Sequence, residues 1–320
     1  MKNPRLTLVI FFAVFLIMTV SCGKKEEPQQ QKKIVVVTTL FPLYDFAKNV
    51  APEDAEVTLL LPPGVEAHAY EPKPGDMAKI SSARVFIYTG KYMEPWAQPL
   101  ISGAGNKGLI VTDASRGIDL METREGNHGH DGEKGPHKEK HHHGAYDPHI
   151  WLDLENAGKM VDNIAEGLSA ADAGNKDLYR KRAVEYKEKL AALDRRFRET
   201  LAACKKRTIV HGGHFAFGYL AHRYGLEYVS AYEGSPNAEP TAKRIIALKK
   251  IIKENDVRYV YFEELITPRV SEVIAKETGA TLLKLHGAHN ISRDELEKGV
   301  TFISLMEDNL ASLRTGLECK

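Results

Sequence analysis

This chain has few cysteines, almost no net charge and no HExxH motif. Only three of the 320 residues are cysteines, and neither Cys204 nor Cys319 lies in a CxxC pair or near a histidine, so a thiolate zinc site is not expected. No HExxH sequence is present, which many zinc hydrolases carry on a helix. The formal net charge is +1, and nothing in the sequence indicates a nucleic-acid surface.

The N-terminal residues have the pattern of a secretory signal. A basic start precedes the apolar stretch 6–20, which is too short and too abruptly ended to predict a membrane-spanning helix. A small residue followed by Cys22 is similar to the lipobox of bacterial lipoproteins, although Thr19 stands where that pattern usually has leucine. We expect residues 1–22 to be a signal peptide, lipidated Cys22 to anchor an extracytoplasmic protein to the membrane, and residues 23–33 to be a flexible tether. The alternatives to lipidation are ordinary cleavage near Cys22 and an uncleaved N-terminal anchor.

The other two cysteines leave two alternatives open. Outside the cytoplasm, Cys204 and Cys319 either pair as a disulfide or remain two free thiols. Their separation in space cannot be deduced from the sequence.

Short β-branched runs alternate with helical spacing along the rest of the chain. Such alternation predicts an α/β fold in which parallel sheets carry helices on both faces. The predicted strands are 33–39, 57–62, 85–90 and 108–113 in the first half, and 208–210, 226–232, 257–262 and 281–285 in the second.

One long helix is predicted to join these halves. Apolar residues between positions 175 and 204 recur at steps of three and four, which marks one helix face about 40 Å long. We predict that this helix is a rigid link between an N-terminal lobe, residues 34–174, and a C-terminal lobe, residues 205–320. A single helix starting at Ser292, where Glu295 completes a capping box, is predicted to close the chain.

Seven of the 13 histidines fall within residues 127–151, and six of these lie on a very polar segment. Residues 124–144 contain no apolar residue except Pro136, so they are predicted to form a solvated loop. Ordering such a loop costs entropy, so it would bind zinc weakly, either as an accessory zinc collector or with only incidental affinity. Its histidines are His128, His130, His137, His141, His142 and His143.

Four isolated histidines have more specific settings, at strand ends or in shaped loops. Ligands of open α/β sheets bind beyond the carboxyl ends of the strands, and two of these histidines come from each half. We therefore expect them to form a metal site in the cleft between the lobes, where imidazole suits zinc, cobalt, nickel or copper. They are His68 in GVEAHAYEP, His149 in DPHIWLD, His214 in HGGHFAFGY and His286 in TLLKLH.

These segments resemble the motifs of a known family. GVEAHAYEP, DPHIWLD and HFAFGYLAHRYGL, in this order, are similar to those of the high-affinity zinc and manganese solute-binding proteins of bacterial ATP-binding-cassette importers, the cluster A-I group. ETGATLLKLH matches the segment that bears the family's fourth ligand. The resemblance covers roughly residues 33 to 315, and the long helix and His-rich loop are features of its zinc branch.

The resemblance implies a ligand set. His68, His149 and His214 match the family's ligands directly, and His286 stands at the fourth position. The family commonly has an acidic residue there, so His289, Glu263 or water are alternatives for the fourth ligand. Manganese members use two carboxylates, whereas a set of imidazoles favours zinc.

Three residues near these ligands are expected to support them. Asp147 and Glu71 would orient a ligand ring by accepting its second N–H, as carboxylates around metal sites do. His211 is expected to lie behind the ligands or to be structural.

The expected function is a zinc receptor that passes Zn²⁺ to an importer permease in the membrane. We expect a monomer that binds no nucleic acid and is not an enzyme. The alternatives are a receptor for manganese or another divalent metal, a metal-binding adhesin, and a zinc hydrolase, which would need a general base such as Glu263 or Glu71 beside a bound water.

Overall fold

The computed structural model describes residues 33–122, 146–232, 240–265 and 267–320. These residues form two four-stranded sheets with parallel pairing throughout. The first contains β1 (Ile34–Thr38), β2 (Ala55–Leu59), β3 (Val85–Tyr88) and β4 (Ile110–Asp113); the second contains β5 (Thr208–His211), β6 (Glu227–Ser230), β7 (Tyr259–Phe262) and β8 (Thr281–Lys284). Their orders, β2-β1-β3-β4 and β6-β5-β7-β8, are the same, and the predicted fold class is confirmed.

Helices connect the strands and cover the sheets. None of those in the described segments is long and apolar enough to cross a membrane. Single 3₁₀ turns occupy Ile150–Leu152 and Ala173–Asn175. The α-helices are α1 (Phe41–Val50), α2 (Pro74–Ser82), α3 (Ala97–Gly103), α4 (Leu154–Ala171), α5 (Lys176–Ala202), α6 (Gly218–Arg223), α7 (Ala242–Glu254), α8 (Arg269–Thr278), α9 (Arg293–Glu297) and α10 (Phe302–Gly316).

The central strands are rich in β-branched residues, which suits strands that are covered on both faces. Val36 pairs in register with Val57 of β2 and Val85 of β3 and is completely buried. Parallel sheets with helices on both faces favour such continuous apolar runs over alternation. The carboxyl ends of β2, β5 and β8 open onto loops that the sheets hold in place, and these loops carry three of the histidines described below.

Helix α5 links the two lobes along one apolar stripe. Its 27 residues correspond to about 40 Å. Tyr186 donates a hydrogen bond to the buried carboxylate of Asp45 on α1, at 2.8 Å. Asp194 accepts two hydrogen bonds from Arg223 of α6. The helix is thus attached to both lobes. Its buried residues are Tyr179, Ala183, Tyr186, Leu190, Leu193, Phe197 and Leu201.

The largest hydrophobic core includes residues from both ends of the described chain. The ring of Phe46 on α1 lies 5.0 Å from that of Phe302 on α10 and 5.7 Å from that of Tyr186 on α5. A smaller cluster, which includes Leu248 and Ile274, packs α7 and α8 against the second sheet. The last helix therefore packs with the first lobe rather than only with the sheet that precedes it.

The single closing helix predicted from the sequence is wrong, because two helices occupy that segment. Ser292 and Glu295 form the predicted capping box at α9. The chain then leaves the helix at Gly299, whose φ of +70° suits glycine, and Thr301 with Ser304 forms a second capping box that starts α10. Beyond α10, Cys319 is joined to Cys204 by a disulfide. Cys22 and the predicted His-rich loop lie outside the described residues.

Candidate metal site

Four histidine rings converge between the two sheets. His68 lies in the loop between β2 and α2, and His149 immediately precedes the 3₁₀ turn Ile150–Leu152. His214 follows β5, and His289 follows β8. One ring nitrogen from each of the four lies within 4.8 Å of all the others. His68 is half-buried and the other three are buried. The structure therefore brings together three of the four predicted ligands and His289, which was an alternative for the fourth.

The distances between the ring nitrogens fit a tetrahedral metal ion. Nε2 of His149 lies 3.1 Å from Nε2 of His68 and 3.3 Å from Nε2 of His214. Nitrogens placed 2.0–2.1 Å from zinc at the corners of a tetrahedron are about 3.3–3.4 Å apart. Two edges of the site thus have close to the length that zinc requires.

Two buried carboxylates set the tautomers of His149 and His214, and so decide which ring nitrogen points a lone pair at the centre of the group. Oδ1 of Asp147 lies 2.6 Å from Nδ1 of His149, and Oε2 of Glu263 lies 2.5 Å from Nδ1 of His214. A carboxylate at Nδ1 fixes the proton there, so each neutral ring presents the Nε2 lone pair. Two such lone pairs 3.3 Å apart repel each other unless a cation lies between them, so the site suits a metal ion better than a hydrogen bond.

The fourth ring is brought to the group by a strained turn. Ala288 adopts a φ of +57°, which is unusual for a residue other than glycine. A Cβ on Gly287 would lie 2.5 Å from Cε1 of His289, so only glycine lets this ring pack against the backbone. Oε1 of Glu264 lies 3.7 Å from Nδ1 of His289, while Nε2 of His289 is buried with no hydrogen-bond partner among the residues that the structure describes.

His286, the predicted fourth ligand, lies outside this group. Asn309 on α10 holds its backbone from both sides, by accepting from its N–H at 2.6 Å and donating to its carbonyl at 2.8 Å. Nδ1 of His286 accepts a hydrogen bond from the backbone N–H of Ala288 at 2.9 Å. This nitrogen is therefore used to hold the turn that presents His289.

Burial and neighbouring charges shift the protonation of the rings in opposite directions. Burial lowers the pKa of His149 well below its usual value, and the nearby rings of His289, His214 and His68 lower it further. Burial also lowers the pKa of His68, with smaller contributions from His289 and His214. Burial alone would lower the pKa of His214, but the charge and hydrogen bond of Glu263, together with the charges of Glu66 and Glu264, raise it. Near neutral pH and without metal, His149 and His68 are therefore neutral, whereas His214 holds its proton more tightly than a free imidazole does.

The structure separates the predicted supporting residues. Asp147 contacts the ring of His149, whereas Glu71 is exposed and is not brought to the group. His211 is completely buried behind the site, where its Nδ1 lies 3.0 Å from the hydroxyl of Tyr228 and 3.2 Å from the carbonyl of His214. Glu263 lies behind His214 instead of replacing a histidine.

Sequence reasoning missed two carboxylates. Glu264 accepts the N–H of Gly287 at 2.7 Å, and its neighbour Glu263 in the sequence VYFEE was the available signal. Glu66 accepts the N–H groups of His68 and Ala69, at 2.9 Å and 2.7 Å. Its position two residues before a candidate ligand suited such a local cap.

The space beside the rings is very small. The cavity bordered by His214, Glu263 and His289 measures about 10 Å³. This volume is close to that of one water or ion and far below the roughly 300–1,000 Å³ of small-molecule sites. The side chains of Asp147, Glu263 and Glu264 are between 2% and 6% exposed. Burial would raise the pKa values of Glu263 and Glu264, but the neighbouring histidines lower them, so these two carboxylates are negative and favour a cation.

Comparison with known proteins gives a consistent assignment. The family model for the zinc-uptake complex component A, periplasmic, matches residues 36–316. The high-affinity zinc uptake system protein ZnuA of Bacillus subtilis is 37% identical over 283 residues, covering 88% of this chain and 87% of that protein. The zinc-binding lipoprotein AdcA of Streptococcus pneumoniae is 37% identical over 317 residues, but this chain spans only 61% of its length.

A solved structure shares the fold. The crystal structure of the Zn(II)-bound ZnuA-like domain of Streptococcus pneumoniae AdcA has a TM-score of 0.74 and 33% sequence identity, covering 90% of this chain and 100% of that domain. The segments that carry the four rings lie within residues 36–316, which the family model matches. The chain therefore belongs to the family of the periplasmic component A of zinc-uptake complexes.

Proposed function

We propose that this protein is an extracytoplasmic receptor that binds Zn²⁺ with high affinity and passes it to a membrane permease of the ATP-binding-cassette type. The observation that carries the proposal is the convergence of His68, His149, His214 and His289, two of them with Nδ1 against a buried carboxylate. Ligands that are already oriented in the free protein lose little entropy on binding. The relatives named for zinc uptake support the same role.

The donor set supports zinc as the native ion. Imidazole nitrogens suit zinc, whereas manganese prefers carboxylate and carbonyl oxygens. The carboxylates of Asp147 and Glu263 face Nδ1 of their histidines, so they act on the ion through the rings. This arrangement increases the basicity of the ligating nitrogens and orients them.

The fourth ligand is tested by comparing His289 with His286, which belongs to the same turn. We expect His289→Ala to weaken zinc binding strongly in a chelator competition and to reduce the nitrogen ligands counted by X-ray absorption from four to three. His286→Ala is the matched control, which keeps the four-nitrogen signal although it loosens the turn. The assignment is refuted if His289→Ala keeps four nitrogens and His286→Ala loses one.

Attachment to a membrane through Cys22 is part of the proposal. The signal-like sequence before this cysteine supports it, as does the description of AdcA as a lipoprotein. Labelled palmitate should be incorporated by cells that produce the natural chain and not by cells that produce Cys22→Ala. Equal labelling of the two would remove the anchor from the proposal. A monomeric receptor and accessory zinc binding by the His-rich loop stay predictions.

A zinc hydrolase is the less favoured alternative. A cavity of about 10 Å³ leaves no room for an ester or peptide beside the ion. Glu263, the base considered for such an enzyme, faces Nδ1 of His214 and accepts its backbone N–H at 3.0 Å. It is thus already committed to holding a ligand. Zinc-dependent turnover of a chromogenic ester by the wild-type protein, lost on chelation, would favour the hydrolase instead.

A further inference from the structure

His68 differs from the other three rings in how it is held. His149, His214 and His289 each have a buried carboxylate within 3.7 Å of Nδ1. In the segments that the structure describes, no carboxylate is placed against the outer nitrogen of His68, and this ring is also the one that is only half-buried. The position of His68 therefore depends on the backbone of the loop that carries it.

That loop begins with a tight turn at Pro62–Val65. The N–H of Val65 donates to the carbonyl of Pro62 at 3.1 Å, and Gly64 has a φ of +85°. These are features of a type II turn, in which proline suits the second residue and glycine the third. Glu66 then caps the following turn by accepting the N–H of His68. The orientation of this first turn therefore sets the direction in which the His68 side chain projects from the loop.

Both ends of the turn are held by one side chain from the other half of the molecule. The amide nitrogen of Asn290 donates to the carbonyls of Pro62 and Val65, at 2.7 Å and 2.9 Å. Its amide oxygen accepts the N–H of Ile291, whose own carbonyl accepts the N–H of Gly64 at 2.8 Å. Asn290 is completely buried, so solvent cannot replace these bonds.

Asn290 is also the residue next to His289. The carbonyl of His289 accepts the N–H of Phe41 at the start of α1, which fixes this segment against the first lobe. A short piece of chain thus supplies one metal-binding ring and clamps the loop that supplies another. The His289 ring and the loop that carries His68 are therefore linked by one peptide unit and the two hydrogen bonds of Asn290, so a movement of one is transmitted to the other.

We propose that Asn290 is a positioning residue for zinc binding, which holds His68 at the ion by clamping the turn at Pro62–Val65. The inference rests on the proposed function, since it assumes that His68 is a zinc ligand. Its consequence is kinetic: without the clamp the His68 loop departs more readily, and zinc escapes by way of a three-nitrogen intermediate.

The test compares Asn290→Ala with a matched control, Asn163→Ala. Asn163 on α4 also donates to two loop carbonyls, those of Ala114 and Arg116, at 3.0 Å and 2.9 Å, but it holds a loop that carries none of the four rings. Zinc release into excess chelator is followed by stopped flow, with thermal unfolding of each metal-free variant as the measure of stability. We expect zinc to leave Asn290→Ala about tenfold faster than the wild type, and Asn163→Ala at the wild-type rate.

A double substitution separates positioning from a general structural role. If Asn290 acts through His68, adding Asn290→Ala to His68→Ala should change the zinc release rate by less than about twofold, because coupled residues are not additive. A full tenfold effect in the His68→Ala background would overturn the proposal. Equal acceleration by Asn163→Ala would overturn it as well.

Two further measurements keep the outcomes distinct. Asn290→Asp keeps the side-chain shape and the acceptor for Ile291 while removing the two donors, and it takes the place of the alanine variant if that variant does not fold. If the wild-type protein gives no four-nitrogen X-ray absorption signal, the proposed zinc site itself fails. If the signal is present and neither Asn290 variant releases zinc faster, only the positioning role fails.

Discussion

Replacing Glu263 by glutamine should weaken zinc binding through the tautomer of His214. In the wild type, Oε1 of Glu263 accepts the backbone N–H of His214 at 3.0 Å, and Oε2 lies 2.5 Å from its Nδ1. Glutamine offers one oxygen and one NH₂ group, so it cannot accept both. With the oxygen on the backbone N–H, its NH₂ group faces Nδ1 and favours the tautomer whose proton is on Nε2, the nitrogen that should bind zinc.

The size of the effect follows from the number of bonds lost. The substitution removes one charge-assisted contact behind one ligand and leaves the other three rings in place. Loss of such an outer contact typically weakens metal binding about 10- to 100-fold, or about 1.4–2.8 kcal/mol. A chelator competition at constant pH measures this ratio directly, and thermal unfolding of the metal-free protein shows whether stability has changed.

Glu94→Gln is a matched control for this experiment. Glu94 is similarly buried and accepts the backbone N–H groups of Thr89 and Gly90, both at 3.1 Å, without contacting any of the four rings. We expect this variant to lose stability but to keep the wild-type zinc affinity. Zinc affinity of Glu263→Gln within about twofold of the wild type would refute the tautomer argument.

Two other predictions concern protons and the disulfide. Ligation needs neutral imidazole, and at about pH 5.5 four solvent-exposed rings would release between three and four protons. Because burial lowers the pKa values of His68 and His149, we expect fewer protons than this, and zinc affinity should fall as the pH falls through the raised pKa of His214. Calorimetry in buffers of different ionisation enthalpy that finds as many protons as four exposed rings would release would contradict this. The bond between Cys204 and Cys319 closes a separation of 115 residues, so reducing it should lower the free energy of unfolding by about 4.8 kcal/mol without changing zinc affinity, and an unchanged urea midpoint after reduction would contradict this.

The regular elements were predictable because their signals are local. The run IVVVT predicts a buried strand wherever it lies, and the apolar spacing in residues 175–204 predicted a helix that the structure shows at Lys176–Ala202. The prediction of one closing helix failed because the helical spacing of apolar residues continues across Gly299. The chain leaves the first helix at Gly299, which has a positive φ, and a second capping box of Thr301 with the short side chain of Ser304 starts the next.

The sequence allowed us to predict the loops that form the candidate site, but not every histidine within them that joins the group. His68, His149 and His214 lie within distinctive sequences, each fixed by its own strand or turn. Which of His286 and His289 lies beside the other three rings depends on the positive φ of Ala288, and a non-glycine residue in that region leaves no trace in the sequence. The clamp by Asn290 also joins residues 225 positions or more apart, which no local pattern reveals.

The binding of the segment at His289 to the first lobe has a consequence for the export that is proposed for this chain. This segment lies beyond β8, yet its backbone bonds to Phe41 and Gly64, and Phe302 packs on Phe46 in the same core. Contacts between residues so distant in sequence cannot form until the intervening chain has been exported. If the chain is exported from its N-terminus, as proposed, a partly translocated chain would have His68 and His149 outside the membrane but no closed site, and it should begin to retain zinc only when export is almost finished.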